Sequence, residues 1–425
     1  MYNKIHIIVI IGGVIVAYGY NNDYRRAGGY RPSSRNKIKR KRNMRRIRNR
    51  TIIILSGLII CVVAVALIVG MVRLMSGIAS CNSTAPVPTA TAASTAKAAK
   101  STKTKAKKKP SVKLTAPKIE DTNPDAGVYD EDSGLYIWDK KAFELFYGSD
   151  SKAEEYAELM DSAKKKLGKD INVYSLLIPN HTEMGLPSRL KNTENGASTN
   201  SQADYIKKSY ESMKTDVKYI NAYNNLAKHC NEYIYFNSDH HWTGLGAYYA
   251  YEAFAQQTKQ SPVSLDSLKE NKIEGFTGSF TQLSDAELDS DTVHFWSMPF
   301  DVSNSVTQAD GNVFEAQTMY YWDAQPGVNT YGVFLFGDNP LEVIKSNSKT
   351  ASDEKIAIVH ESYGNAMVPY FSANYSEVHS IDFRSFSGDL KSYCKENGIT
   401  NVLFANGVMS SATETHLESI RGILG

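Results

Sequence analysis

An uninterrupted apolar run near the N-terminus constrains this chain more than any other feature. Residues 52–72, IIILSGLIICVVAVALIVGMV, contain no charged side chain and have about the length of a helix that crosses a bilayer. The residues just before them, 31–50, are densely basic, and such segments stay on the cytoplasmic side of a membrane. The sequence therefore predicts one transmembrane helix over 52–72, with a basic cytoplasmic segment 1–51 and the C-terminal part outside the cell.

The distribution of charge divides the chain into two physically different parts. Residues 1–118 contain 24 Lys and Arg but a single acidic residue, Asp23, whereas residues 119–425 contain 24 basic and 44 acidic residues. The net charges are therefore about +23 and about −20, although the whole chain carries only +3. Because the acidic part would repel a phosphate backbone, we expect no nucleic-acid binding by the folded part of the protein.

The segment after the apolar run has the composition of a flexible spacer. Residues 83–118 are dominated by Ala, Thr, Ser, Pro and Lys and contain no aromatic residue. Such a segment buries too little apolar area to offset the entropy lost on ordering. We therefore predict a disordered Ala/Thr/Lys-rich stalk over residues 73–124 and a globular domain over 125–425.

The pattern of the C-terminal part predicts an α/β fold. Short apolar runs rich in β-branched residues alternate with helical patterns, which is typical of a mostly parallel sheet covered by helices on both faces, a three-layer arrangement. Residues 274–336 alternate aromatic and polar residues, and we interpret them as a β-rich insertion or a β-rich side of the same domain. The predicted strands are 171–179, 355–360, 377–383 and 401–406, and the longer predicted helices are 203–230 and 245–259.

A cluster of acid and imidazole groups in SDHHWTGLG marks the first candidate site. In an extended segment Asp239 and His241 share a face, while His240 points away. A carboxylate beside an imidazole can fix its tautomer and stabilise its charged form, as in a catalytic triad. A capping cluster ahead of the helix that Thr243 begins explains the same residues without chemistry.

The best candidate for a nucleophile is the serine in IVHESYGNA. Ser362 directly follows a predicted buried strand and begins a helix, where a hydroxyl is accessible and lies near unpaired helical amides. The stretch differs from the G-x-S-x-G elbow, because His360 and Glu361 precede the serine. A serine at a helix start is also a common cap, so the position alone leaves both roles open.

Together, SDHHWTGLGAYYAY and HESYGNAMVPYF resemble the DHHW family of Gram-positive surface proteins, which is similar to the SGNH-hydrolase-like alginate O-acetyltransferases. The resemblance covers residues 130–425 and implies an SGNH-hydrolase-like fold. It also implies that Asp239 orients, His241 acts as general base and Ser362 is the nucleophile. This chain has His360-Glu361 where the family pattern has Lys-Asp before the serine.

The resemblance implies further elements of the site and of the reaction. Gly337 and Asn339 in FGDNP match the glycine amide and asparagine side chain that stabilise the oxyanion in SGNH-like sites, although a β-turn also explains them. The implied activity is O-acetylation of a cell-surface or secreted polysaccharide, with a membrane-bound O-acyltransferase as acetyl donor and no cofactor. A carbohydrate esterase with the same triad and a non-catalytic polysaccharide-binding module remain alternatives.

Two other functions were weighed against this one. Asp239, His240 and His241 could bind a metal, but adjacent histidines diverge in a strand and no second cluster with ligand spacing accompanies them, so we expect no metal site. The aromatic residues 320–322 could stack on sugar rings. Such residues are also common at half-buried strand positions, and the sequence alone assigns them no role.

Overall fold

The computed structural model of the protein describes residues 8–11, 14–17, 111–194 and 196–425. The predicted transmembrane helix 52–72 lies outside these ranges, as do nearly all of the basic segment and residues 73–110 of the stalk. Among the described residues, no helix has the length and apolar character needed to cross a membrane.

A short hairpin near the N-terminus pairs β1 (Ile8–Ile11) with β2 (Val14–Ala17) in antiparallel register. A division of the chain between residues 103 and 104 separates this hairpin from the unit that holds all the other described residues. Only that second unit contains the candidate site, and the following paragraphs concern it.

The second unit alternates strands and helices along most of its length. Its strands are β3 (Val128–Asp130), β4 (Leu135–Trp138), β5 (Lys141–Glu144), β6 (Asn172–Ile178), β7 (Lys218–Tyr219), β8 (Lys269–Phe276), β9 (Asp291–Ser297), β10 (Val302–Thr307), β11 (Val313–Ala316), β12 (Leu341–Ser346), β13 (Ser352–His360), β14 (Tyr375–Asp382) and β15 (Asn401–Gly407). Its α-helices are α1 (Asp150–Leu167), α2 (His181–Gly185), α3 (Gln202–Ser212), α4 (Ala222–Lys228), α5 (Gly244–Gln257), α6 (Phe280–Leu283), α7 (Tyr363–Phe371), α8 (Leu390–Asn397), α9 (Val408–Ser411) and α10 (Glu414–Leu424). Three 3₁₀ turns lie at Ser188–Leu190, Leu265–Ser267 and Thr330–Val333.

The core of the unit is one eight-stranded mixed sheet with the order β11-β10-β12-β14-β13-β15-β6-β7. Neighbouring strands from β14 to β7 run parallel, and all four predicted strands lie in this half. The pairings from β14 to β11 are antiparallel. The prediction of a mostly parallel sheet is therefore right for one half only, because β12 and two strands of the β-rich stretch, β10 and β11, extend the sheet with antiparallel pairings.

Helices cover the parallel half on both faces. The last five residues of β13 and all of β15 are buried, which requires apolar packing on each side of the sheet. One group of helices contains α1, α3, α8, α9 and α10, and the other contains α4, α5 and α7. The three-layer arrangement thus follows from strands that are apolar at consecutive positions.

Two predicted boundaries are wrong. The helix predicted over 203–230 is broken between α3 and α4, because the carboxylate of Asp161 accepts the backbone N–H groups of Lys214 and Thr215 and pulls the chain out of the helix. Residues 111–124, which were predicted to form the end of the stalk, lie on the domain instead. Val112 is buried there, and the side chain of Asn231 bonds to the backbone of both Lys118 and Glu120.

Candidate active site

Ser362 lies in the turn between the central strand β13 and helix α7. It occupies the N-cap position of α7, but its side chain makes no capping hydrogen bond. Its Oγ lies instead 2.7 Å from Nε2 of His241. The structure therefore does not use this serine as a cap. Gly364 permits the tight turn, because a Cβ there would lie 2.2 Å from Cγ of the buried His360 ring.

His241 lies between the serine and Asp239. Its Nδ1 is 2.6 Å from Oδ1 of Asp239, and the same oxygen accepts the backbone N–H of His241 at 3.0 Å. The ring is buried and stacks on Tyr331, with ring centroids 3.9 Å apart and planes 8° apart. Tyr331 also donates a hydrogen bond from its hydroxyl to the carbonyl oxygen of Ser362. This tyrosine thus holds both members of the pair, and no sequence pattern pointed to it.

The loop that carries Asp239 is bent, which corrects the extended conformation predicted for it. Residues 238–241 form bends rather than a strand, and the rings of His240 and His241 approach to 3.8 Å between centroids. Asp239 and His241 meet because the carboxylate turns back onto the backbone two residues later, a turn typical of aspartate. The two side chains are paired in the structure, but the predicted alternation of faces is not the cause.

Asp239 itself is held by a neighbouring segment. Its second oxygen accepts the backbone N–H of Ser279 at 2.8 Å. Gly278, with φ of +41°, makes this close approach possible, because a Cβ there would lie 2.2 Å from the carbonyl oxygen of Ser238. Burial raises the pKa of Asp239, but the charge of His241 and the hydrogen bonds outweigh it and hold that pKa well below its usual range. The carboxylate is therefore ionised whenever the site is formed.

A second buried acid fixes the loop from the other side. Asp291 accepts the backbone N–H groups of Asn237 and Ser238 and the hydroxyl groups of Ser238 and Tyr233. Burial raises the pKa of its carboxyl. Sequence reasoning missed Asp291, although an acid on the same face of β9 as the apolar Val293 and Phe295 is a signal that could have identified it.

His240 has a different environment from His241. Its Nδ1 lies 2.8 Å from the hydroxyl of Ser279, and its side chain is 35% exposed. Burial and the nearby His241 lower its pKa to about 4, so the ring is neutral at physiological pH. One ligand atom from each of Asp239, His240 and His241 lies within 4.8 Å of the others. A metal ion there would have to displace the bonds of His241 to Asp239 or Ser362, since these occupy both of its ring nitrogens.

The two predicted oxyanion donors have other partners. The backbone N–H of Gly337 donates to the carbonyl oxygen of Phe334 at 3.0 Å. The side-chain amide of Asn339 donates to the carbonyl oxygen of Leu335 and to Oε1 of Glu342, both at 3.0 Å. This arrangement therefore does not support the predicted role for either residue. At the start of α7, the backbone N–H groups of Gly364 and Asn365 donate to the carbonyl oxygens of Glu361 and Ser362, so the amides of Ser362 and Tyr363 are the better candidates.

The two residues before the serine anchor the nucleophile turn to the sheet. His360 is buried, with Nδ1 2.8 Å from the carbonyl oxygen of Glu361 and Nε2 2.6 Å from the hydroxyl of Ser380. Burial lowers the pKa of His360. Glu361 accepts the backbone N–H of Gly407 at 2.7 Å, and burial raises its pKa. The departure from Lys-Asp thus places two buried, hydrogen-bonded side chains behind Ser362.

An ion-pair network borders the site on the side of α7. Arg384 lies 2.9 Å from Oδ2 of Asp338 and 2.5 Å from Oδ2 of Asp382. The side-chain amide of Asn365, three residues after the serine, donates to Oδ1 of Asp338 at 2.8 Å. These residues connect the loop after β14 with the segment before β12. They come from distant parts of the sequence, and no motif indicated their proximity.

This chain is similar to a protein family and to several solved structures. A family described as DHHW protein matches residues 113–381, which include all three members of the Ser362, His241 and Asp239 chain. A search of curated proteins found no match. A solved structure of a DHHW family protein from Eubacterium siraeum is similar, with 29% identity, 69% of this chain and 96% of that chain covered, and a TM-score of 0.61.

Bacillus cereus PatB1 is similar in fold in two solved structures. The structure with a sulfonyl adduct has 16% identity, covers 66% of this chain and 97% of that chain, and gives a TM-score of 0.56. The other has 19% identity, covers 66% and 98%, and gives 0.54. At this identity the likeness concerns the fold alone. Since the family match spans more than half of the sequence, this chain belongs to the DHHW family.

Proposed function

We propose that this protein is a membrane-anchored, extracytoplasmic O-acetyltransferase that acts on a cell-surface or secreted polysaccharide through an acyl-enzyme at Ser362. One observation carries the proposal. Ser362 Oγ, His241 Nε2, His241 Nδ1 and Asp239 Oδ1 form a continuous chain with distances of 2.7 and 2.6 Å. A nucleophile, a base and a group that orients the base need this geometry.

The first half of the reaction would acetylate the serine. The Ser362 hydroxyl proton passes to Nε2 of His241 while Oγ attacks the carbonyl carbon of an acetyl donor. The backbone amides of Ser362 and Tyr363 stabilise the negative oxygen of the tetrahedral intermediate. Its collapse breaks the bond to the leaving group, which takes the proton from His241, and leaves an acetyl ester on Ser362.

The second half would transfer the acetyl group to a sugar. A hydroxyl of the polysaccharide loses its proton to His241 and attacks the acetyl carbonyl carbon. Collapse of the second tetrahedral intermediate releases the O-acetyl sugar, and the proton returns to Ser362 Oγ. Water in place of the sugar would make the same site an esterase. A domain that binds polysaccharide without forming the acetyl ester is the non-catalytic alternative.

The fold and the N-terminal sequence support the remaining parts of the proposal. A parallel half-sheet with the serine after its central strand is what an SGNH-hydrolase-like domain requires. The apolar run 52–72 would anchor the domain, and residues 73–110 would separate it from the membrane. A membrane-bound O-acyltransferase, implied by the family resemblance, would supply acetyl from the cytoplasmic side, and no cofactor is required.

Trapping the acyl-enzyme tests the chemistry. The full-length chain, purified in detergent, is incubated with p-nitrophenyl acetate and analysed by mass spectrometry. We expect one added acetyl group on Ser362, absent from Ser362→Ala, and its transfer to oligosaccharide faster than to water. Equal release of acetate with and without oligosaccharide would identify an esterase, and no acetylation of the folded protein would favour the binding module. A sulfonyl fluoride should modify the same serine.

Protease treatment of intact, wall-stripped cells tests the membrane arrangement. Because the basic run 31–50 is expected to stay inside, protease should remove residues 111–425 and leave a small protected N-terminal fragment. A cytoplasmic protein assayed in the same cells provides the control for leakage. Protection of the whole chain would contradict the proposed orientation.

A further inference from the structure

An aromatic surface lies beside the candidate site and is not used by the proposed reaction. The aromatic patch, as we call it, consists of Phe314, Tyr321 and Phe336. The ring centroid of Phe336 lies 5.3 Å from that of Phe314 and 6.1 Å from that of Tyr321. Tyr321 is 45% exposed, and the two phenylalanines are half-buried. A contiguous apolar patch at a protein surface is a feature of ligand-binding sites.

The backbone that presents Phe336 is strained. Leu335 has φ of +50° and Phe336 has φ of +55°, and Gly337 follows with +92°. Two consecutive non-glycine residues in the left-handed region are uncommon, and such strain is concentrated at functional sites. Leu335 is buried in the core, while the ring of Phe336 contacts the rings of Phe314 and Tyr321 in the aromatic patch. The strained turn thus directs two neighbouring apolar side chains in different directions.

The aromatic patch is continuous with the nucleophile turn. The carbonyl oxygen of Gly337 and Oδ1 of Asp338 both accept hydrogen bonds from the side-chain amide of Asn365. Asn365 in turn donates its backbone N–H to the carbonyl oxygen of Ser362. The residue after Phe336 is therefore linked to Ser362 through a single side chain.

The net charge of the domain that carries the aromatic patch is negative. Residues 119–425 contain 24 basic and 44 acidic residues, and the exposed Asp338 directly follows Gly337 in the strained turn. Arg384, the cation of the bordering network, is already paired with two carboxylates. A ligand that carries carboxylate or phosphate groups would therefore be repelled at close range.

We infer that the aromatic patch is the acceptor subsite and takes a neutral pyranose ring of the polysaccharide, an inference that rests on the proposed function. The apolar C–H face of a pyranose carries slight positive charge and packs on the negative face of an aromatic ring. A pyranose ring held on Phe336 and Tyr321 would belong to a polymer that extends along Gly337 and Asp338 to the nucleophile turn. The net negative charge of the domain disfavours a uronate polymer as the acceptor.

Binding measurements test the subsite independently of the chemistry. Calorimetric titration is done on the full-length chain, in a detergent whose headgroup is not a sugar, with cellohexaose as neutral probe and hexagalacturonate as charged probe. We expect cellohexaose to bind and hexagalacturonate to bind more weakly or not at all. Tyr321→Ala and Phe336→Gly should each weaken cellohexaose binding about tenfold. Glycine at 336 removes the ring and relieves the left-handed strain, so loss of folding is not expected.

Two matched variants complete the experiment. Tyr147→Ala removes a tyrosine that is 62% exposed in the segment between β5 and α1 and should leave the affinity unchanged. Ser362→Ala should bind cellohexaose as the wild type does. Unchanged affinity in both patch variants, tighter binding of hexagalacturonate, or no binding of cellohexaose would overturn the inference. Patch-dependent binding by a protein that never acetylates Ser362 would support the subsite and refute only the proposed transferase.

Discussion

Asp239 holds His241 through one carboxylate oxygen, Oδ1, which accepts both the backbone N–H and Nδ1–H of the histidine at 3.0 and 2.6 Å. With its proton on Nδ1, the ring presents an unprotonated Nε2 to Ser362, which is the tautomer that a general base requires. The D-x-H spacing thus has a local cause. An aspartate side chain typically bonds to the backbone N–H two residues later, so the histidine must follow at that position.

Asp239→Asn tests the importance of this charge. The amide keeps the size of the side chain but favours the wrong tautomer and does not stabilise the imidazolium, so we expect the rate of Ser362 acetylation to fall by at least about 100-fold. The measurement is the time course of the acetyl mass on residues 104–425. Circular dichroism verifies that the variant is folded. An unchanged rate would show that His241 does not need its carboxylate.

His240→Ala and His241→Ala distinguish the triad from a metal site. The imidazole of His240 bonds to the hydroxyl of Ser279 and not to Ser362. Loss of this ring should therefore leave most of the acetylation rate, whereas loss of His241 should abolish it. A chelator should leave the wild-type rate unchanged. If the chelator abolishes acetylation and both histidines prove equally necessary, the cluster binds a metal ion and the triad interpretation is wrong.

Gly364→Ala should destabilise the domain at the nucleophile turn. Its Cβ would lie 2.2 Å from Cγ of His360, and that ring is fixed by two hydrogen bonds, so we expect a loss of about 1–3 kcal/mol in the free energy of unfolding. Urea denaturation of residues 104–425 provides the measurement. Gly422→Ala in α10 is the control, because nothing lies within 4 Å of its Cβ, and it should stabilise by about 0.5–1 kcal/mol. Equal effects of the two would contradict the close contact.

Glu342 should make the domain less stable as the pH rises through neutrality. Burial raises the pKa of this residue from 4.5 to about 8, so between these values the folded state binds more protons than the unfolded chain. The free energy of unfolding should therefore be highest below about pH 4.5 with respect to this group and fall until about pH 8.

Glu342→Gln should remove roughly 1 kcal/mol per pH unit of this dependence between pH 5.5 and 7.5. Urea denaturation at the two pH values measures the slope, and Glu315→Gln on the exposed face of β11 is the control. Other buried acids such as Asp291 contribute in the same direction in the wild type and in Glu342→Gln. The contribution of Glu342 is therefore the difference between the slopes of these two proteins. A slope identical to that of the wild type would place the titration elsewhere.

The fold could be predicted where the local pattern and the tertiary packing agree. Strands β6, β13, β14 and β15 were predicted because they are buried on both faces and are therefore apolar at consecutive positions. Helix α5 was predicted within two residues at each end. The break between α3 and α4 was not predictable, because Asp161, far away in sequence, provides the hydrogen bonds that replace the helix.

The sequence by itself determined the residue types of the candidate triad and the local pairing of Asp239 with His241, since both depend on short spacings. Only the tertiary structure decided that Ser362 is not a cap, that Gly337 and Asn339 already have partners, and that Tyr331 supports the histidine. Each of these contacts joins residues that are brought together by the order of strands in the sheet and by the course of the loops. A one-dimensional pattern does not contain that information, because a hydrogen bond depends on distance in space and not on separation along the chain.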